Sequence, residues 1–288
     1  MAGTPTGRKI VLGQNNYGKS NIRLVKVFRD TERHEITDVW VDVALFGDFE
    51  AAHVEGDNTG LIATDTMRNT VYALAKDQLI GSVEDFGMKL IRHFVETGPT
   101  VERVRIRFTE HLWDRIVVDG REHEHSFVRA AGKHTATVEG DGNDVAIQSG
   151  IDDLLVLKTT NSGWEGYLKD RFTTLPETRD RILATVVTAN WLYNTTEIDF
   201  DETWGEVKEQ MLATVTDHYS PSVQNTLYRI GKAVLERFSE IEKIHLSFPN
   251  KHHIPYDLSR FGMENAGEVL HAAAEPYGLI EGWVERGE

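Results

Sequence analysis

The segment RVRIRF, residues 103–108, alternates arginine with Val104, Ile106 and Phe108. A period of two places the apolar side chains on one face of a β-strand and the charged side chains on the other face. The segment VWVDVALF, residues 39–46, has the same alternation, and residues 22–28 are typical of a partner strand. The sequence therefore predicts antiparallel strands with one buried and one solvated face.

Two helical patterns lie between these strand regions. The first covers residues 65–78, and the second opens at Ser82, after which apolar residues recur at helical spacing at Val83, Phe86, Leu90 and Phe94. Asp85, three residues after Ser82, makes a variant of the capping box. The first half is therefore predicted as β-β-α-α-β-β.

The second half repeats this order of elements. We predict strands over 154–158 and 183–193, helices over 203–216 and 221–238, and strands from Ile244 and from Glu268. Ser220 is the predicted N-cap of the second of these helices, with Pro221 at its first position. The fold class is therefore α+β.

The chain is expected to divide into two halves, residues 1–150 and 151–288. The glycine-rich turns at residues 139–143 and at Gly150 favour this boundary. The repeated order of elements makes a tandem duplication the simplest interpretation.

The composition excludes several classes of protein. The 288 residues contain no cysteine, which excludes disulfides, thiolate metal ligands and a cysteine nucleophile. Lys and Arg number 31 against 46 Asp and Glu, and the net charge of −15 disfavours nucleic acid and anionic membranes as partners. Residues 1–8 lack the apolar core of a signal peptide, and no stretch is apolar enough to span a bilayer. We expect a cytoplasmic protein.

Five segments carry more polar side chains than strands, helices or turns require. They are Asn16-Tyr17-Gly18-Lys19, Ala63-Thr64-Asp65-Thr66, Thr173-Thr174-Leu175 running to Asp180-Arg181, Val223-Gln224, and Pro249-Asn250-Lys251-His252-His253. In order and spacing, and in the runs VLKTTNS (156–162) and FPNKHH (248–253), the chain resembles the urate oxidases over nearly its whole length.

The resemblance implies tandem T-fold (tunnelling fold) halves, with antiparallel sheets that carry helix pairs on one face. Members of that family pair their subunits into a sixteen-stranded barrel and stack two barrels as a homotetramer, with active sites at subunit interfaces. The strand pattern alone fits either a solvated sheet or a barrel with a polar lumen. The resemblance favours the barrel.

The resemblance also implies a set of urate-binding residues. Arg181 supplies a forked, in-plane positive charge for the purine anion, and Gln224 with the backbone of Val223 binds an edge that presents carbonyl and N–H groups together. Thr64 and the backbone of Asp65 hold the five-membered ring from the neighbouring subunit, although helix capping also explains these two side chains. Trp164 stands where the family has a phenylalanine stacked on urate.

A proton relay of Lys19, Thr64 and His252 is implied by the same resemblance, with Asn250 holding dioxygen or water above the ring. Urate must lose a further proton before it gives electrons to dioxygen, and that proton must reach the peroxide that forms. The expected reaction converts urate, dioxygen and water to 5-hydroxyisourate and hydrogen peroxide. No cofactor is expected.

The sequence also allows other functions and a metal site to be considered. A non-catalytic purine-binding protein is the alternative from another class, and a zinc-dependent T-fold hydrolase lacks its cysteine ligand here. His123, His125 and His134, together with the pair at 252–253, suggest a metal site, but exposed or tunnel-facing histidines explain them equally well.

The chain ends without the peroxisomal Ser-Lys-Leu address, from which we expect a bacterial cytoplasmic enzyme.

Overall fold

A computed structural model of the chain describes residues 9–287. One antiparallel sheet holds eight strands in sequence order, and every neighbouring pair along the chain is hydrogen-bonded. The strands are β1 (Tyr17–Phe28), β2 (Glu35–Gly47), β3 (Val101–Val118), β4 (Arg121–Gly140), β5 (Val145–Lys158), β6 (Leu183–Tyr193), β7 (Ile241–Pro255) and β8 (Leu270–Glu285).

Four α-helices pack on the sheet, two after β2 and two after β6. They are α1 (Thr64–Gln78), α2 (Val83–Thr97), α3 (Phe200–Thr216) and α4 (Val223–Arg237). The order β-β-α-α-β-β thus occurs twice, as predicted, and the α+β class is confirmed. The second repeat begins at Val145, so residue 150 lies inside β5. No helix of the described residues is long and apolar enough to cross a membrane.

The core lies between the helices and one face of the sheet. The alternating residues of β2 and β3 that were predicted to face inward are buried: Val39, Val41, Val43, Leu45, Val104, Ile106 and Phe108. Gly87 lets α2 approach the sheet closely, because a Cβ at this position would meet Val138 Cγ2 at 2.7 Å. The sheet face opposite the helices carries the polar residues of the alternation.

The N-cap of α2 is the predicted one. Ser82 Oγ accepts a hydrogen bond from Asp85 N at 3.1 Å and donates to the Asp85 carboxylate at 2.8 Å. These bonds satisfy one of the free N–H groups of the first turn.

Candidate active site

Three loop segments meet beside the first strand of the second half. Gly163 N donates to Ser220 O, and Arg181 N donates to Ser162 O, both at 2.8 Å. Gly163 has no room for a side chain, because Tyr219 Oη occupies the position a Cβ would take. Backbone hydrogen bonds therefore fix Arg181 next to the loop that leads into α4.

The Arg181 guanidinium is half-buried and lacks an acceptor. Its Nε atom is buried with no hydrogen-bond partner among the described residues. Burial lowers the pKa of this guanidinium from its ordinary value. Arg179, two residues earlier, is exposed and pairs with Glu165 at 2.9 Å. Since an unpaired buried cation is costly, the geometry at Arg181 fits an anionic ligand.

Trp164 lies beside this cation. Its backbone bridges Thr178, with N–H to O distances of 2.7 and 3.0 Å. The Arg181 Cζ lies 5.8 Å from the indole centroid, and Tyr167 stacks on the indole at 5.4 Å and 12°. An aromatic plane and a forked donor therefore stand together, as the stacking of a planar anion requires.

The N-cap of α4 is Ser222, and the prediction of Ser220 was wrong. Ser222 Oγ accepts from Asn225 N at 3.1 Å. The Ser220 backbone forms a bridge with Ser162, so α4 begins after Ser222 rather than after Ser220. The Ser220 hydroxyl is buried and lies 2.6 Å from Thr226 Oγ1. Pro221 accordingly precedes the helix.

Val223 and Gln224 are therefore the first two residues of α4. Their N–H groups belong to the first turn, where no intrahelical acceptor exists and the helix dipole favours negative charge. The Val223 side chain is buried while Gln224 is exposed. This helix end follows Ser220, whose backbone is hydrogen-bonded to Asn161 and Gly163, and Arg181 N donates to Ser162 of the same loop. The start of α4 therefore lies near the loop that carries Trp164.

Asn250 and His252 lie on β7, both half-buried. Asn250 pairs with Thr185 of β6 and with Gly278 of β8, and His252 pairs with Ala273. Thr185 follows Arg181 by four residues. The structure thus places the β7 pair beside the Arg181 region.

Lys19, Thr64 and Asp65 form a second group, at the start of α1. Tyr17 Oη accepts from Ile62 N at 2.8 Å, which ties the first residues of β1 to the segment before the helix. Lys19 is on the same side of β1 as Tyr17 because side chains alternate along a strand. Within residues 9–287 no hydrogen bond joins Lys19 to Thr64.

Helix capping does not explain Thr64 and Asp65. The N-cap of α1 is Ala63, which has no side chain that can cap, and Thr64 is the exposed first residue of the helix. Asp65 pairs with Arg68 at 2.8 Å. The first N–H groups of α1 therefore have no side-chain cap.

The two groups lie at opposite edges of the sheet. β1 forms one edge, and β7 lies next to β8, which forms the other edge. Strands are spaced about 4.8 Å apart, so β1 and β7 are separated by about 29 Å along the sheet. A single chain does not bring Lys19 and Thr64 to Arg181, Asn250 and His252.

His134 belongs to a buried polar cluster that the sequence did not predict. His134 Nε2 lies 2.9 Å from Glu84 Oε1, and its Nδ1 lies 3.1 Å from Glu110 Oε2. Burial alone lowers the pKa of His134, but the two carboxylates outweigh it and raise that pKa to about 10. The residues come from separate elements, so no local pattern indicates their contact.

Comparison with known proteins shows the family of the chain. The chain matches the family model described as Uricase over residues 15–139 and 147–281. It is similar to the uricase of Arthrobacter globiformis, with 48% identity over 99% of this chain and 93% of the relative, and to the uricase of Dictyostelium discoideum, with 42% identity over 94% and 96%.

A solved structure agrees with these matches. The crystal structure of the uricase from Arthrobacter globiformis superposes with a TM-score of 0.92 at 47% identity, covering 97% of this chain and 96% of that one. The family match, the full-length relatives and the shared fold lead to one conclusion. The chain belongs to the uricase family.

Proposed function

We propose that this chain is an oxidoreductase that oxidises urate with dioxygen as acceptor and without a cofactor, giving 5-hydroxyisourate and hydrogen peroxide. This is the first step of urate degradation towards allantoin. The observation that carries the proposal is the half-buried Arg181 guanidinium, which has an unpaired Nε and lies beside Trp164. Urate is a planar purine monoanion at neutral pH, and such a site offers it charge and stacking together.

Each binding residue then has a separate task. Arg181 grips the pyrimidine edge, and the Gln224 amide with the Val223 N–H binds the opposing edge. Trp164 supplies the aromatic face. The support is the backbone bridge between Ser162 and Ser220, which links the Arg181 loop to the segment before α4, and the start of α4, where the N–H groups and the helix dipole favour an anion.

Thr64 and the Asp65 N–H bind the five-membered ring from a second copy of the chain. The support is the start of α1, which has no side-chain cap, together with the separation of about 29 Å between β1 and β7 within one chain. Both sheet edges are open in the single chain, and pairing β8 of one copy with β1 of the next removes them. We propose a homotetramer of two such barrels.

The same Thr64, with Lys19 and His252, moves protons. Lys19 and the Thr64 hydroxyl remove a second proton from urate, which makes the purine a better electron donor, and His252 returns a proton to the peroxide. Asn250 on β7 holds dioxygen or water above the ring. The protein supplies position and proton transfer, while electrons pass from urate to dioxygen.

We also propose a division of the chain and a cellular location for it. The first is the division into two T-fold halves, expected as residues 1–150 and 151–288; the repeated order of elements supports two halves but puts the boundary between β4 and β5, just before Val145. The enzyme works in the cytoplasm.

The first test follows urate absorbance and peroxide formation in air-equilibrated buffer that contains a chelator. Loss of urate with equimolar peroxide supports the proposal. Urate that binds without decay would support the purine-binding alternative instead.

A second test addresses the two-chain site. Lys19→Ala and Arg181→Gln each inactivate one half of every site, so each variant alone should be inactive. When the two are coexpressed, half of the randomly formed pairs are mixed, and each mixed pair keeps one intact site of two. We therefore expect about one quarter of the wild-type activity, whereas a site within one chain gives none.

A further inference from the structure

The seam between the two halves contains a cluster of ionisable side chains that the proposed urate site does not use. Glu84 comes from the first turn of α2, Glu110 from β3, His134 from β4, Ser149 from β5 and Asp201 from the first turn of α3. Glu84 and His134 are buried, and Asp201 is exposed at the rim of the cluster. One ligand atom from each of Glu84, His134 and Asp201 lies within 4.8 Å of the other two.

The arrangement around His134 is the one that metal-binding histidines have. Its Nδ1 lies 3.1 Å from the Glu110 carboxylate, and its Nε2 faces Glu84 Oε1 at 2.9 Å. A carboxylate on the far nitrogen fixes the orientation of the ring and raises the basicity of the nitrogen that binds metal. Trp204 packs on the ring at 4.8 Å, and its indole N–H bonds to Gly150 O at 2.8 Å.

The charge of the cluster is unbalanced. Glu84, Glu110 and Asp201 contribute three carboxylates against one imidazole, and no Lys or Arg of the described residues lies within 4.0 Å of them. Glu84 is fully buried, and its Oε2 atom has no hydrogen-bond partner, although Oε1 accepts from Ser149 and His134. A buried carboxylate oxygen with no donor is costly, and a bound cation would satisfy it.

We propose that His134 Nε2, Glu84 and Asp201 bind one Zn²⁺ ion, with Glu110 orienting the imidazole. Imidazole and carboxylate ligands suit this class of divalent cation. Ligand atoms on a tetrahedral zinc lie about 3.3 Å apart. The three ligand atoms already lie within 4.8 Å of one another, so small side-chain movements reach that spacing, and Asp201 is exposed and able to move. The cation replaces the proton on Nε2, which leaves to solvent.

The expected role of this ion is structural. It joins the first turns of α2 and α3, which belong to different halves, and it shares no residue with the proposed urate site. Chelation should lower stability without stopping urate oxidation. The site is therefore independent of the proposed function, and its failure would leave that function untouched.

The test titrates chelator-treated, full-length protein with Zn²⁺ and measures bound zinc after dialysis and the midpoint of thermal unfolding. We expect one zinc ion per chain and a midpoint raised by about 5 °C or more at saturation. Affinity should increase between pH 7 and about pH 8, because metal and proton compete for Nε2.

Variants locate the ion. Asp201→Asn and Glu84→Gln should each weaken zinc binding by about tenfold or more. Glu202→Gln is the matched control, since this exposed carboxylate is adjacent to Asp201 but outside the cluster. His123→Ala tests whether zinc binds at the exposed histidines rather than at the buried cluster. Zinc binding that survives Asp201→Asn but not His123→Ala, or the absence of stoichiometric zinc, would overturn the proposal.

Discussion

Replacing Arg181 by lysine keeps a positive charge at the candidate site but removes the planar fork of the guanidinium. Arg181 has no acceptor for its buried Nε, so this donor is not committed to another group of the described residues. Lysine can replace one of two parallel hydrogen bonds but not both. A charge-assisted hydrogen bond contributes about 1.5–3 kcal/mol, which corresponds to a loss of about 10- to 150-fold in kcat/KM.

Initial rates over a range of urate concentrations measure this loss. The anion is present before and during the reaction, so we expect KM to rise more than kcat falls. Arg181→Gln should lose about tenfold more because it also removes the charge. Arg179→Lys is the control, since that exposed side chain pairs only with Glu165 and should leave kcat/KM within about twofold.

Thermal unfolding of the ligand-free Arg181→Gln variant tests whether Arg181 binds urate or instead stabilises the fold. A half-buried guanidinium without a partner destabilises the free protein, so Arg181→Gln should leave the unfolding midpoint unchanged or higher. If Arg181→Gln unfolds at lower temperature yet oxidises urate at the wild-type rate, Arg181 is a structural residue and does not bind urate.

Three further substitutions test other parts of the molecule. Lys19→Ala should lower kcat by about 100-fold or more at saturating urate, as loss of a proton-transfer group does. If the Lys19→Ala variant kept the wild-type kcat at every pH, the proposed relay would be excluded. Trp164→Phe should keep KM within about threefold, whereas Trp164→Ala should raise it by about tenfold, since aromatic stacking contributes about 0.5–1.5 kcal/mol. Ser222→Ala should lower the free energy of unfolding by about 1 kcal/mol through loss of the α4 cap, and Ser222→Asp should restore it; equal stability of all three proteins would contradict the cap assignment.

The sequence by itself determined the elements of the fold. Alternation in residues 39–46 and 103–108 was sufficient for β2 and β3, because burial of one sheet face imposes a period of two on each strand. Ser82 and Asp85 marked the start of α2 for a similar reason, since a cap is formed by residues three positions apart. The residue types and order of the five polar segments also predicted the family.

Only the tertiary structure decided which of these segments meet. The bridge between Ser162 and Ser220 moved the cap of α4 to Ser222, and it joined Arg181 to the start of that helix. The strand order placed Lys19 on β1 and His252 on β7, six strands away in one sheet, and this separation is the observation behind the proposed two-chain site. The Glu84–His134 contact likewise joins residues 50 positions apart. Periodicity and capping depend on neighbours along the chain, whereas these contacts depend on how distant elements pack, which no local spacing specifies.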